Sequence, residues 1–252
     1  VNYLSDRLIN LGNSIPKQIR ECTVNTEKES KYQKLFNIDH LPDDLFISPG
    51  TKAPNRMGFS KYASYINTIT EQKYGRPLIL AMSADLSDST NISGFSKGYG
   101  GARDKGFYEK KSNTKSPLFP QGITEFTNAG MMAGASTVNF SAKPYENFSG
   151  FYGAVSTYGS FSYLKYGPLR LFSQLAQDSE LKVGKIIWVV GHSGPETAED
   201  SRTHYGIFAP GVTQLFPNGS IINIHPWEYN EVAPSLTAAL TTDVPIVAIH
   251  LT

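Results

Sequence analysis

The stretch richest in side chains that could do chemistry runs from Trp188 to Gly206 and reads WVVGHSGPETAEDSRTHYG. Its apolar run ends in Gly-His-Ser-Gly, the pattern of a strand-to-turn transition that presents a nucleophilic serine. That turn needs a small residue at position 195, but Pro195 stands there and its ring obstructs the approach of helix to strand. Ser193, Asp200 and His204 have the order of a triad, yet they lie too close together, because the acid and the histidine of such triads follow later strands. Ser193 is therefore not predicted to be a nucleophile.

The polar residues of the same stretch suit a different kind of site. His192, Asp200 and His204 fall within thirteen residues, directly after an apolar run. Histidine and carboxylate groups can hydrogen-bond a polar substrate, and histidine can exchange protons near neutral pH. This grouping favours a substrate pocket, and the alternatives are solvated surface side chains or a strand-end turn without chemistry.

The elements that must position these residues are predicted from apolar patterning. Short continuous apolar runs suit parallel strands that are buried on both faces. Strands that alternate with helices predict a doubly wound α/β fold, with a mostly parallel sheet and helices on both faces. The predicted strands are 77–86, 185–191, 220–226 and 244–251, and the predicted helices are 122–136, 227–240 and a helix through Phe59, Tyr62, Ile66 and Ile69 that ends at Gly75.

Two other regions lack such patterning. Residues 1–57 contain four prolines and are predicted as an N-terminal arm or interdomain connection with room for one short helix, which leaves 58–252 as the main domain. Residues 87–119 are polar, without periodicity, and are predicted as a long surface loop.

The amino-acid composition limits which classes of function the chain can have. The chain has 23 basic and 22 acidic residues, which gives no electrostatic argument for nucleic acid or an anionic membrane. No apolar run approaches the roughly 20 residues that span a bilayer. The single Cys22 rules out an internal disulfide and a cysteine-based zinc site, so a reducing, cytoplasmic setting is expected.

Four segments, in this order, resemble the pyrimidine-binding module of the transketolase family of thiamine-diphosphate enzymes, from about residue 58 to the end of the chain. They are SADLSDST, FPQGITEFTNAGMMAGAS, TYGSFSYLKYGPLRL and GHSGPETAEDSRTHYG. The resemblance implies the thiamine-diphosphate-binding fold. Each motif alone is weak, but the four together in the family's order make a specific match.

The resemblance implies roles for four residues around the cofactor. Glu125 matches the family glutamate that hydrogen-bonds N1′ of the aminopyrimidine and relays a proton through the cofactor. Gly122, Gly130 and Gly134 around it are expected to permit close packing of its helix, and a helix N-terminal Glu favoured by the macrodipole is the alternative. Tyr158 and Phe161 match the aromatic residues that enclose the ring, although the third family aromatic falls near Leu164. Asp85 matches an aspartate near the cofactor and the dimer interface, and a helix-capping role is its alternative.

The resemblance also implies a donor-substrate pocket. His192, Asp200 and His204 match the family residues that bind the hydroxyl groups of a sugar, and both histidines could exchange protons during catalysis. Arg202 stands where the family has proline, so a cation is added beside this pocket or faces solvent.

The implied function is transfer of a two-carbon ketol unit between sugar phosphates, with thiamine diphosphate as cofactor. A Gly-Asp-Gly motif for the diphosphate and Mg²⁺ is missing, so these groups are assigned to a module on another chain or another segment, and no metal ligand is assigned to this chain. A homodimer or hetero-oligomer is therefore expected, with the chain as a segment of a longer enzyme or one subunit of a split enzyme. The alternatives are an E1-type 2-oxoacid dehydrogenase component, whose glutamate motif is similar to GITEFTNAG, and a non-catalytic structural or regulatory module of the same fold.

Overall fold

The computed structural model describes residues 2–14, 35–99, 106–192 and 209–252. Within these ranges six strands form one sheet in the order β2-β1-β3-β4-β6-β5, and every pairing is parallel. The strands are β1 Ile79–Ser83, β2 Leu118–Phe119, β3 Tyr152–Tyr158, β4 Ile186–Gly191, β5 Ile221–Ile224 and β6 Ile246–His250. The predicted α/β fold with a parallel sheet is confirmed.

Helices cover both faces of this sheet. The helices are α1 Asn2–Ser14, α2 Asn55–Tyr74, α3 Glu125–Thr137, α4 Tyr166–Asp178, α5 Ala209–Thr213 and α6 Tyr229–Thr241. α2 and α6 pack into one hydrophobic cluster, and α3 and α4 pack into a second one on the opposite face. β4 serves both clusters, because Ile187 and Val189 belong to the first, and Trp188 and Val190 to the second. Alternate side chains of a strand point to opposite faces, so a continuous apolar run is what a doubly covered strand requires.

Two of the strands follow patterns that the sequence does not reveal. β2 is two residues long, and β3 has the sequence YGAVSTY, in which small and polar residues replace the apolar run of the other strands. All seven residues of β3 are nevertheless buried. The helix predicted to end at Gly75 is α2, and Gly75 closes it in the left-handed conformation with φ 74°.

The prediction of a surface loop over 87–119 is wrong for part of its length. Residues Ile92–Ser96 form a 3-10 helix, and Phe95 in it is fully buried, with its ring edge-on to Phe59 of α2 at a centroid distance of 5.7 Å. Leu118 is also fully buried, in β2. Isolated apolar residues within a polar stretch supply these core contacts, and periodicity cannot detect them because they are too few.

The region before residue 58 contains both exposed and packed segments. α1 is exposed along its whole length, whereas Leu35, Phe36 and Leu45 are buried in the same cluster as α2 and α6. The Phe36 ring is parallel to that of Tyr152, with centroids 6.3 Å apart. The domain boundary at residue 57 stays a prediction. Among the described helices, none combines the length and the apolar character needed to cross a bilayer.

Asn67 joins three elements in the core. Its side-chain amide donates to the carbonyl oxygens of Ile79 in β1 and Phe95 in the 3-10 helix, at 2.9 and 3.0 Å. Its Oδ1 accepts from the N–H of Ile79 at 2.9 Å. These bonds fix the start of β1 and the segment after it against α2.

Replacement of Asn67 by alanine is expected to lower the free energy of unfolding by at least about 3 kcal/mol, because three buried backbone groups lose their partner. Urea unfolding followed by circular dichroism measures the change. The control is Thr68→Ala at the neighbouring exposed position, which is expected to change stability by less than about 0.5 kcal/mol. Equal effects of the two substitutions would contradict the role given to Asn67.

Candidate functional site

The carboxyl ends of β1, β3 and β4 bring three of the predicted site residues to one edge of the sheet. The register pairs Ser83 with Ser156, and Tyr158 with Gly191. Asp85 follows β1 by two residues, Tyr158 ends β3, and His192 comes directly after β4. In parallel α/β sheets ligands bind at this edge, so the fold places these residues where a site is expected.

Asp85 and His192 both have backbone conformations that are rare for residues with a side chain. Their φ angles are 61° and 49°. Such left-handed residues turn the chain sharply at a strand end, and they are concentrated at functional sites. Gly191, before His192, approaches Thr90 so closely that a Cβ atom would lie 2.9 Å from Thr90 Cγ2. This close approach favours glycine at the end of β4, directly before the left-handed turn at His192.

Glu125 is the first residue of α3 and is only 4% exposed. Thr157, next to last in β3, donates its hydroxyl to Glu125 Oε1 at 3.0 Å. The second oxygen, Oε2, has no hydrogen-bond partner among the described residues. A carboxylate at a helix start is also stabilised by the helix dipole. One oxygen of Glu125 is thus held by the sheet, while the other makes no hydrogen bond within the described part of the chain.

Two predicted aromatic residues follow Thr157, the hydrogen-bond partner of Glu125, along the chain. Tyr158, directly after Thr157, is 8% exposed, and the His192 ring lies against it with centroids 4.3 Å apart and planes 61° apart. Phe161 is half-buried in the 3-10 helix Gly159–Lys165 that follows β3. Leu164, at the position of the expected third aromatic, is 37% exposed.

Lys165 is the residue near Glu125 that sequence reasoning missed. It ends the 3-10 helix, is fully buried, and its Nζ has no hydrogen-bond partner among the described residues. Burial lowers the pKa of Lys165 well below 10.5, and the Glu125 carboxylate opposes this shift. The only available signal was a lysine inside the aromatic stretch FSYLKYG, where a surface position is the usual expectation.

Part of the predicted substrate pocket lies outside the described residues. Asp200, Arg202 and His204 belong to this part, so only His192 of the group has a described position. These three assignments stay predictions, and Ser193, which is not predicted to be a nucleophile, also lies outside the described residues.

The expected close packing at three glycines of the Glu125 segment is wrong within this chain. A Cβ atom added at Gly122, Gly130 or Gly134 would meet no atom within 4 Å. The surrounding side chains are also exposed, with Ile123 at 78% and Phe126 at 64%. Gly130 and Gly134 lie away from the inward side of α3, which is formed by Glu125, Asn128, Ala129, Met132 and Ser136.

A pair of histidines continues the same sheet edge beyond His192. His250 ends β6 beside Val190 of β4, and the His225 ring after β5 stacks on it with centroids 4.1 Å apart and planes 10° apart. Burial lowers the pKa of His250 to about 3, with a smaller contribution from His225, and burial also lowers the pKa of His225. Both rings are therefore neutral at physiological pH.

Comparison with known proteins identifies relatives of this arrangement. The family model for the transketolase pyrimidine binding domain matches residues 63–251. The search of curated proteins returned no match. Similar solved structures include a transketolase from Campylobacter jejuni subsp. jejuni NCTC 11168, with 18% identity and a TM-score of 0.58 over 90% of this chain and 30% of that one.

Two further solved structures have a comparable likeness. A transketolase from Leishmania mexicana has 16% identity and a TM-score of 0.56, over 87% of this chain and 28% of that one. A mutant transketolase from Pichia stipitis in complex with fructose 6-phosphate has 19% identity and a TM-score of 0.58, over 87% and 29%. At these identities the likeness establishes the fold, and the chain spans less than a third of these transketolases.

Because of the buried histidine pair, the free energy of unfolding is expected to fall in acid. Both folded-state pKa values lie below the unfolded value of about 6.5, so the unfolded chain binds more protons and stability falls as pH drops below that value. Replacing His250 with glutamine is expected to reduce this fall by up to about 1.4 kcal/mol per pH unit between about pH 6 and pH 4. Chemical unfolding at several pH values measures the slope.

His40→Gln is the matched control, because His40 is exposed in the 3-10 helix Ile38–His40. The change in the free energy of unfolding per pH unit is expected to be the same in this variant as in the unmodified chain. An unchanged slope in the H250Q variant would show that the buried pair does not govern acid stability.

Proposed function

Because this chain belongs to the transketolase family as a pyrimidine binding domain, we propose that it forms the pyrimidine-binding half of a thiamine-diphosphate-dependent transketolase-like enzyme. The reaction is transfer of a two-carbon ketol unit between sugar phosphates. The observation that carries the proposal is the buried Glu125 carboxylate at the start of α3, which the sheet holds through a hydrogen bond from Thr157.

The residues present fit the aminopyrimidine ring of the cofactor. A ring nitrogen that carries a proton needs a carboxylate oxygen as acceptor, and Glu125 Oε2 has that capacity. A flat heteroaromatic ring needs apolar faces, for which Tyr158 and Phe161 are suited. Asp85, exposed beyond β1, is proposed as a further polar contact of the cofactor.

The chain's own contribution to catalysis is binding, orientation and proton transfer. When bound, thiamine diphosphate supplies a carbon nucleophile for the carbonyl group of the donor. Glu125 is proposed to hold a proton at the ring nitrogen, and Thr157 fixes the carboxylate so that its free oxygen keeps one direction. Tyr158 and Phe161 restrain the ring.

The donor pocket is proposed to begin at His192. The His192 ring lies against Tyr158 after the turn at the end of β4, and we propose it as a proton-exchanging side chain next to the cofactor. Asp200, Arg202 and His204 are proposed to complete the pocket. We propose a sugar phosphate as the donor, because the structurally similar transketolase from Pichia stipitis is in complex with fructose 6-phosphate.

A partner module is proposed to complete the active site and to hold the diphosphate and Mg²⁺. The outward face of α3 and the segment before it are apolar or small, with Phe126, Met131 and Gly134 exposed in the helix, Gly130 half-buried, and Ile123 exposed before it. Small residues let a second backbone approach closely, and exposed apolar side chains mark contact surfaces. Glu125 adjoins this face in sequence, so the proposed contact surface borders the site. The partner is a second copy of the complete enzyme or a separate subunit that carries the diphosphate-binding module.

The first test is Glu125→Gln in the complete assembly with thiamine diphosphate and Mg²⁺ present. Glutamine keeps the size of the side chain but cannot exchange the proton, so ketol transfer from fructose 6-phosphate is expected to fall at least about 100-fold in kcat. Glu180→Gln is the control, because Glu180 is an exposed acid after α4. Retention of nearly full activity by the E125Q assembly would exclude the proposed proton relay.

The same assembly separates the alternative functions. Turnover of pyruvate in place of the ketose phosphate would favour a 2-oxoacid dehydrogenase component. Calorimetry with thiamine diphosphate, with and without the partner module, tests the non-catalytic alternative. Absence of binding in both conditions would favour a structural module.

The second test addresses the outward face of α3. Phe126→Glu places a charge on this face and is expected to weaken association with the partner at least about tenfold, measured by analytical ultracentrifugation. Leu181→Glu is the matched control, because Leu181 is 45% exposed and lies near the amino-terminal end of β4. Equal association of the two variants, with native circular dichroism, would exclude α3 as the contact surface.

A further inference from the structure

His225 and His250 form a stacked pair at the carboxyl edge of the sheet. Their ring planes are 10° apart and their centroids lie 4.1 Å apart. His250 is 4% exposed, whereas His225 is exposed and makes no hydrogen bond within the described part of the chain. One face of the His225 ring is thus held by the protein, while its two nitrogen atoms have no described partner.

Two further contacts hold the pair. Nε2 of His250 lies 3.4 Å from the hydroxyl group of Thr213, which is fully buried in α5. The buried Asn55 side chain donates to the carbonyl oxygen of Pro226 at 2.9 Å and accepts from the backbone N–H of Thr252 at 2.8 Å. The segments that follow the two histidines are therefore tied to each other, and buried groups support the orientation of the exposed ring.

The buried ring of this pair lowers the stability of the fold. Nδ1 of His250 is buried and has no hydrogen-bond partner among the described residues. A leucine would fill the same space without an unsatisfied polar atom, so packing alone does not explain a histidine here. Such local losses of stability are concentrated at functional sites.

The register of the sheet places the pair in one row with the Glu125 site. Thr157, whose hydroxyl group bonds Glu125, pairs with Val190 of β4. Val190 pairs in turn with His250 of β6, and the row ends at His225, directly after β5. Neighbouring strands lie about 4.8 Å apart, so His225 lies about 10 Å from β4 and about 15 Å from Thr157.

The row lies on the face of the sheet that α3 and α4 cover. Val155 of β3, Val190 of β4 and Ala248 of β6 belong to the hydrophobic cluster of this face. Side chains two residues apart in a strand point to the same side, so Thr157 and His250 also belong to this face. A ligand that extends from the proposed cofactor site across the ends of β4 and β6 therefore meets the histidine pair at its far end. An open-chain hexose phosphate has the length for such a span.

We propose that His225 is a specificity-determining residue of the donor pocket and hydrogen-bonds a hydroxyl group in the half of the sugar that is distant from the reacting carbonyl group. His250 is the positioning residue that holds the His225 ring. The partner is a hydroxyl group because both imidazole rings are neutral at physiological pH and bind through hydrogen bonds. The inference rests on the proposed function, since the sugar is the donor of that reaction.

The binding of two ketoses of different length to the complete assembly tests the proposal. The assembly carries Glu125→Gln with thiamine diphosphate and Mg²⁺ bound, and it receives no acceptor, so that calorimetry measures Kd without turnover. The probes are fructose and dihydroxyacetone, a three-carbon ketose that lacks the distant half. His225→Phe keeps a ring on His250 but has no hydrogen-bonding nitrogen. It is expected to raise the Kd of fructose at least about fivefold and to leave that of dihydroxyacetone unchanged.

Two further variants separate the proposed contact from a structural effect. His250→Leu fills the buried space but removes the stacked ring, and is expected to raise the Kd of fructose about two- to threefold without affecting dihydroxyacetone. A purely structural disturbance of the pocket would weaken the binding of both ketoses alike. His40→Phe, at an exposed histidine of the 3-10 helix Ile38–His40, is the matched control and is expected to change neither Kd.

Three results would overturn the proposal. They are an unchanged Kd of fructose in the H225F assembly, an equal loss for both ketoses, and absence of fructose binding to the assembly that retains His225. Fructose 6-phosphate identifies the contacted group, since its Kd is expected to rise by the same factor as that of fructose. A loss confined to fructose 6-phosphate would assign His225 to the phosphate and overturn the hydroxyl contact.

The outcome is independent of the test of the proposed function. An assembly that binds fructose as expected but transfers no ketol unit would refute the proposed function and leave this contact in place. An assembly that transfers the ketol unit but binds fructose equally well with and without His225 would refute only the contact.

Discussion

The site depends on the parallel register of β1, β3 and β4. Parallel pairing brings three carboxyl ends to one edge, so residues that are far apart in sequence, such as Tyr158 and His192, meet there. Glu125 joins this edge through a single hydrogen bond to Thr157. A shift of β3 by one residue would turn Thr157 away from α3 and Tyr158 away from His192, because successive side chains of a strand point to opposite faces.

Sequence patterning predicted those elements whose interactions are mainly apolar. β4 and β6 are continuous apolar runs, and α2 has a regular apolar spacing that ends at Gly75. β3 was not predicted because Ser156 and Thr157 interrupt its apolar character. Both are fully buried, and their hydroxyl groups bond Thr90 and Glu125 respectively. β3, which contributes Thr157 and Tyr158 to the candidate site, is thus hard to recognise as a strand, because polar side chains that bond other elements interrupt its apolar run.

The individual site residues also differ in whether the sequence alone could predict them. Glu125, Tyr158 and His192 were predicted from motif resemblance, and the fold brings them to one edge of the sheet. Lys165 was not predicted, because a lysine in a single sequence gives no sign of burial, and its burial arises from the packing of a 3-10 helix between α3, α4 and β3. Asp200, Arg202 and His204 remain sequence-based assignments.

Residues 125 and 126 of α3 have opposite environments, with a buried acid followed by a phenylalanine that is 64% exposed. Neighbouring residues of a helix differ by about 100° in direction, so the helix backbone fixes the two side chains relative to each other. A rotation or sliding of α3 that improved the fit of its outer side to a partner would move the carboxylate inside by a comparable amount. Sequence changes on the two sides of this helix are therefore expected to occur together in related chains.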